Sequence, residues 1–308
     1  MAVHLVDCDY AGLPGSAAAY IVTHDDGAMI IETNTARATD RILAALGGLD
    51  LTPADVTHVI ITHVHLDHAG GASALLEACP HAHLIAHPRA APHAIDPTKL
   101  VASATQVYGT AVFSELYGTI EAIDPHRVET MDDEETLIIG GHTLRFLHTR
   151  GHANHHFCIV DEAEQAIFTG DSFGIRYPGL QGVIFPSTSP TDFDAALAVE
   201  SVERIVQSGA KEAWLTHFGV VRDLSSAGAT LIGQLRAYGE LVDRADDSGA
   251  EGDALQAMCS AFVDQFFADL VPGATTDQIA LLDVDRSLNA QGLAVAVERR
   301  RKRRARGA

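Results

Sequence analysis

Thr62-His63-Val64-His65-Leu66-Asp67-His68 places four side chains able to hold a metal ion within six positions. The stretch follows an apolar run, Val59-Ile60-Ile61, that suits a strand buried on both faces. It precedes a Gly- and Ala-rich segment expected to be helical from Ala69 to Ala78. His63 and His65 are two residues apart, so on extended backbone they point the same way and can share one ion. Asp67 and His68 are adjacent, at the turn into the helix, and point elsewhere, which suits a second ion. Several polar groups at the end of a buried strand cost free energy unless something satisfies them. Imidazole and carboxylate donors without thiolate suit zinc, iron or manganese.

Further donors stand just past other apolar runs. His152 follows the strand expected over Thr143–His148, Asp171 follows Ala166–Thr169, and His217 follows Glu212–Thr216. Loops at strand ends are where a rigid sheet displays functional side chains. Strands are also expected at Ala19–Thr23, Ala28–Glu32, Thr57–Thr62, His83–Ala86, Thr136–Ile139 and Phe157–Val160. Helices are expected at Ala36–Leu46, irregularly over Pro97–Leu116, and at Thr191–Gln207 with Thr191 as its cap. After His217 the texture becomes helical: Leu224–Asp243, Asp253–Leu270 and Thr275–Arg306. The expected organisation is an α/β catalytic domain over 1–222 and a helical region over 223–308 that ends in a basic tail.

The motif at 63–68, followed by Gly151-His152, Gly170-Asp171 and a strand ending in His217, resembles the metallo-β-lactamase superfamily. It is most similar to the glyoxalase II-like (hydroxyacylglutathione hydrolase-like) hydrolases. The gaps are 84 residues from His68 to His152, 19 on to Asp171 and 46 on to His217. The resemblance implies a four-layer αββα sandwich with a C-terminal helical appendage. It implies that His63, His65 and His152 hold one ion, that Asp67, His68 and His217 hold a second, and that Asp171 bridges them. Zinc is the default, with iron or manganese able to take the same ligands. The implied activity is hydrolysis of a small ester, thioester or lactone by a metal-bridging hydroxide. Asp171 and Asp67 are the catalytic carboxylates, Asp67 orienting the nucleophile or passing a proton to the leaving group. The alternative within the fold is an iron-dependent redox or dioxygen-handling protein of the persulfide dioxygenase kind, and behind that a phosphodiesterase. Flavodiiron proteins usually carry Glu where His65 stands here.

Departures from the pattern leave the substrate open. No set here matches the basic and tyrosine residues with which glyoxalase II enzymes hold glutathione. The tyrosine that lactonases place three residues after the bridging aspartate is Gly174 here. Arg150 stands where proline often precedes Gly-His, and a guanidinium there is suited to a carboxylate or phosphate. The segment 172–190, with Arg176 and Tyr177, reads as a substrate loop. His155 and His156 are candidates to support the ligands. His81, His83, His87 and His93 read as surface residues.

Composition narrows the class. The chain has 308 residues, 47% of them hydrophobic, enough for a sizeable core. Its net charge is −20, and seven of its 21 bases fall between Arg299 and Arg306. The remainder sets 14 bases against 41 acids, which repels polyanions and argues against a nucleic-acid partner. The basic run itself reads as a solvated, frayed tail. Cys8, Cys79, Cys158 and Cys259 stand far apart and read as buried thiols of a reducing compartment. No apolar run approaches the roughly 20 residues of a membrane span, and the N-terminus does not read as a signal peptide. The expectation is a cytoplasmic enzyme of a small-molecule substrate, its helical region capping the pocket or forming a homodimer face.

Overall fold

The computed structural model describes residues 2–307 apart from 181, 189 and 191, with no side chain described at 107. Among the described residues, twelve strands form two six-stranded sheets. The first sheet runs in sequence order: β1 (Ala2–Asp7), β2 (Ala18–His24), β3 (Gly27–Ile31), β4 (Val56–Ile60), β5 (His83–Ala86) and β6 (Val128–Thr130). Strands β1 to β3 pair antiparallel and β3 to β6 parallel. The parallel crossovers carry helices α1 (Thr39–Gly47), α2 (Leu66–Ala69), α3 (Ala72–Ala78), α4 (Ala91–Ile95), α5 (Thr98–Tyr108) and α6 (Thr110–Tyr117). The second sheet comprises β7 (Thr136–Ile139), β8 (His142–His148), β9 (Phe157–Asp161), β10 (Ala166–Gly170), β11 (Glu212–Leu215) and β12 (Gly219–Val221). Its pairings are antiparallel except between β10 and β11.

The period-two alternation of β2 and β3 divides their side chains between two cores. Tyr20, Met29 and Ile31 join Ile60 and Ile85 against Phe146, Phe157, Ile159 and Phe168 of the second sheet. Ile21, Ile30, Val59 and Ile61 pack on the other side against Ile42 and Leu46 of α1 and Leu75 and Leu76 of α3. Burying each such aliphatic side chain contributes about 1.5–3 kcal/mol before conformational entropy is set against it. The expected α/β class with paired sheets is the one observed. Strands β1 and β12, where the sequence predicts no element, extend it.

Contacts divide the chain into two compact units. One comprises 1–148, 155–170 and 208–222 and holds both sheets. The other comprises 149–154, 171–207 and 223–308. One of these limits falls between 222 and 223, and the segment 1–222 holds residues of both units. The second unit contains α7 (Ala195–Val206), α8 (Leu224–Ser248), α9 (Gly252–Leu270) and α10 (Thr276–Ala305). The cap expected at Thr191 lies outside the described residues; α7 is capped by Asp194, whose side chain accepts from the Ala196 and Leu197 N–H groups. Tyr238 of α8 is fully buried and meets Phe193, Phe262 and Phe266 edge to face.

The basic run is not a frayed tail. It is the last turns of α10. Arg301 donates to the carbonyls of Ala245, Asp246 and Ala250 at 2.7–3.1 Å, and Arg301 and Arg304 both pair with Asp246. Cations at the carbonyl-rich end of α8 complement its dipole, so the repulsive stretch becomes a clasp. The four cysteines are buried and unbridged. Burial pushes the Cys8 thiol up to about 12 and those of Cys79 and Cys259 to about 11. No helix of the described residues is long and apolar enough to cross a membrane.

Candidate metal centre

Strand β4 delivers Thr62 to His65 at its C-terminal end, and α2 begins at Leu66. The helix expected over 69–78 is broken at Gly70-Gly71. A Cβ on Gly71 would stand 2.7 Å from the Thr33 carbonyl and 2.8 Å from that of Thr35, so only glycine admits this approach. The segment Glu32–Thr35 thus lies against the motif. Thr33 Oγ1 donates to the His68 carbonyl at 2.7 Å, and Asn34 Nδ2 to the Asp67 carbonyl at 3.0 Å. The backbone of the motif is clamped before its side chains are considered.

Each ring is then oriented by what it meets at Nδ1. Thr62 Oγ1 has one proton, which it donates to Glu32; it therefore accepts from His63 Nδ1 at 3.0 Å. That leaves the lone pair of His63 Nε2 facing His65 Nδ1, 2.9 Å away. His68 Nδ1 lies 3.3 Å from the Glu32 carboxylate. His217 Nδ1 donates to the Ser16 carbonyl at 2.7 Å and turns Nε2 to within 3.4 Å of Asp67 Oδ2. Asp67, His68 and His217 offer ligand atoms all within 4.8 Å of one another. Ligands about 2.0–2.2 Å from a tetrahedral ion stand at comparable mutual separations. The chemistry of this donor set, with Nδ1 anchored and Nε2 turned inward, fits a divalent cation.

In the second unit His152 is built the same way. Its Nδ1 donates to the Ser187 carbonyl at 3.2 Å, and its Nε2 lies 3.4 Å from Asp171 Oδ2. Two short routes of chain connect this pair to the second sheet. The loop 149–154 leaves β8 and returns to β9, and Asp171 is the residue after β10. Gly170, at φ +49°, has no room for a Cβ. It would stand 2.5 Å from His156 Nε2 and from Thr62 Oγ1. Five of the seven expected ligands therefore lie in the sheet-bearing unit and two in the helical one.

Among the supporting residues, His156 is fully buried with its ring 4.8 Å from that of His63, and His155 Nδ1 accepts from the Val64 N–H. Both flank the first pair of ligands. Arg150, exposed, lines a shallow depression with His152, Asp171, Ser172, Leu231 and Leu235. Tyr177 packs edge to face on Phe185, and Arg176 lies over Gly182. Glu32 was missed by the sequence reading. It sits one residue past β3 at φ +66°, 1% exposed, and gathers Thr62, His68 and Thr216 around one carboxylate. The only signal for it is the polar run Glu32-Thr33-Asn34-Thr35 after an apolar strand.

His87 is not on the surface as expected. It is buried against His148, ring centroids 4.1 Å apart, and burial first, then that neighbour, pushes it down to about 3. A folded-state value below the ordinary 6.5 means the unfolded chain binds the extra proton first. Stability from this site is present above about pH 6.5 and is lost as the pH falls towards 3. In metal-free protein, His87→Asn is expected to lose less melting temperature than the parent between pH 7 and pH 4. Parallel curves would refute this assignment.

Residues 12–217 match a family model described as the metallo-beta-lactamase superfamily. The metallo-beta-lactamase fold-containing protein ST1585 of Sulfurisphaera tokodaii is 26% identical over 222 residues, 71% of this chain and 79% of that one. A crystal structure of an archaeal superfamily protein, ST1585 from Sulfolobus tokodaii, superposes with a TM-score of 0.68 at 22% identity, covering 94% of this chain and 97% of that one. At that identity the likeness is one of fold. An atrochrysone carboxyl ACP thioesterase, nsrC of Aspergillus novofumigatus, is 27% identical over 221 residues, and the chain spans about half of it: 70% of this chain, 54% of that one. The rubredoxin oxygen:oxidoreductase of Desulfovibrio gigas shares the fold with a TM-score of 0.54 at 19% identity, over 78% of this chain and 60% of that one.

Proposed function

Since the chain belongs to the metallo-β-lactamase superfamily, we propose that it is a metal-dependent hydrolase of small esters, thioesters or lactones, with thioesters foremost. His63, His65 and His152 would hold one ion, Asp67, His68 and His217 a second, and Asp171 both. Zinc is the default occupant. The ions, when bound, would supply Lewis acidity and water of lowered pKa. The chain's own residues do the rest. Ser16 and Ser187 fix the tautomers of His217 and His152, so each of these rings offers Nε2 without reorganising, and the Glu32 carboxylate stands 3.3 Å from His68 Nδ1. Asp67, less buried than the imidazoles around it, is placed to accept a proton or to orient the attacking water. Arg150, beside His152 and Asp171, is suited to a carboxylate or phosphate on the substrate.

The observation that carries this reading is the common anchoring of His217 and His152, each of which donates from Nδ1 to a backbone carbonyl and turns Nε2 to a carboxylate 3.4 Å away. A buried histidine serving packing alone has no need of that arrangement. Thioesters come first because a relative named as a thioesterase aligns over 70% of this chain. The test is metal analysis of the purified protein with a panel of thioesters, lactones and phosphodiesters. About two equivalents of zinc and thioester turnover lost on chelation are expected. Bound iron with dioxygen consumption and no hydrolysis would replace this reading with the redox one.

A further inference from the structure

Two segments of the sheet-bearing unit meet beside Asp67. One is the β1–β2 loop, with a short helical turn at Tyr10–Gly12. The other is the pair α5–α6. They join where Tyr10 Oη lies 3.4 Å from Tyr117 Oη. Tyr117 also packs on Phe113 and Tyr108, with ring centroids 5.3 and 5.7 Å away. Leu66, flanked in the chain by the ligands His65 and Asp67, belongs to the same apolar cluster as Phe113 and Tyr117, against which Tyr10, Leu100 and Val101 pack. The loop is tied to the site at its other end as well, because Ser16 holds the His217 ring.

Three features mark this wall as more than core. Among the described residues, the large apolar side chains left exposed in this unit are Leu5, Leu13, Tyr108, Val112 and Ile138; three of these five fall on the two segments. Exposed apolar groups gathered next to a polar site mark a ligand surface. The phenols share one hydrogen bond between two hydroxyls, so one O–H proton is left to donate. Burial, then the Asp67 charge for Tyr10, and burial, then the partner phenol and Asp67 for Tyr117, push both phenols above the ordinary tyrosine range, which keeps them as donors.

We propose that the β1–β2 loop and α5–α6 form the acyl-group site: an apolar acyl chain lies along Leu13, Tyr108 and Val112, and the Tyr10–Tyr117 pair donates a hydrogen bond to the polar end of that chain beside Asp67. The proposal rests on the hydrolase reading and names its preferred substrates as thioesters of medium or long apolar acids. Each methylene fully removed from water is worth roughly fourfold in binding, and one left half exposed about twofold.

The test uses the zinc-loaded full chain and two readouts. The first is kcat/KM for simple thioesters with acyl chains of two to twelve carbons. The second is calorimetric binding of decanoate and acetate, which requires no turnover. The parent is expected to gain about twofold per methylene. Tyr108→Ser/Val112→Ser is expected to lower the ten-carbon to two-carbon ratio at least tenfold, and Tyr10→Phe/Tyr117→Phe to raise KM more than it lowers kcat. If no thioester is cleaved but decanoate outcompetes acetate and the serine variant abolishes the difference, the acyl site stands and the hydrolase reading falls. Equal chain-length profiles in parent and serine variant would overturn the proposal. So would self-association lost in that variant, which would assign the patch to a second copy of the chain.

Discussion

Asp171→Ala is expected to reduce thioester turnover by more than about 10²-fold, the scale on which a single well-placed polar contact acts in a transition state. Asp171 is 7% exposed, with Oδ2 3.4 Å from His152 Nε2. Its loop is closed by the Gly174 N–H to the Asp171 carbonyl at 3.1 Å and by Ser172 Oγ to the Thr149 carbonyl at 3.2 Å. The backbone that carries the carboxylate is therefore held in place by its own loop. Asp171→Asn keeps volume and removes charge, so it separates loss of metal from loss of fold. It should fold as the parent does, bind less than two equivalents of zinc, and lose nearly as much turnover. Full activity in a correctly folded Asp171→Asn protein would exclude a role for that carboxylate in holding the ions.

Glu32→Ala carries the second large effect, on stability first. One buried carboxylate accepts from Thr62 and Thr216 and pairs with His68 Nδ1. Removing it strands three buried polar groups at once, and breaking a buried charged contact by deleting one partner costs about 3–5 kcal/mol. The His68 ring also loses the carboxylate 3.3 Å from its Nδ1, and loss of such a supporting group is worth a further 10- to 100-fold in metal affinity by order of magnitude. Denaturant unfolding of the metal-free protein measures the first effect and zinc competition with a chelating dye the second. A loss under about 1 kcal/mol would show that Thr62 and Thr216 find other acceptors, and Glu32 would then be packing alone.

The parts of this molecule that could be read from the sequence are those whose signal is local. His63, His65, Asp67 and His68 announce themselves because they fall within six positions, and β3 and β10 because both of their faces are apolar. Glu32 stayed hidden because its meaning comes from residues 30 and 184 positions away, which no window contains. Strand β1 was missed because only Val6 of its side chains is buried. The break at Gly70-Gly71 was missed because the carbonyls that forbid a side chain belong to Thr33 and Thr35 on another segment. The basic run misled for the same reason. Like charges predict a solvated end until Asp246 and the last carbonyls of α8 are seen beneath them.

The hydrogen bond from His217 to Ser16 spans 201 residues of sequence. A nascent chain leaving the ribosome makes the acceptor long before the donor, at about 5–20 residues per second. On the hydrolase reading proposed above, cation capture at this corner would have to wait until the first hairpin and the eleventh strand have both been synthesised and paired. Until then, the early histidines face the cell's metal pool without their full complement of partners.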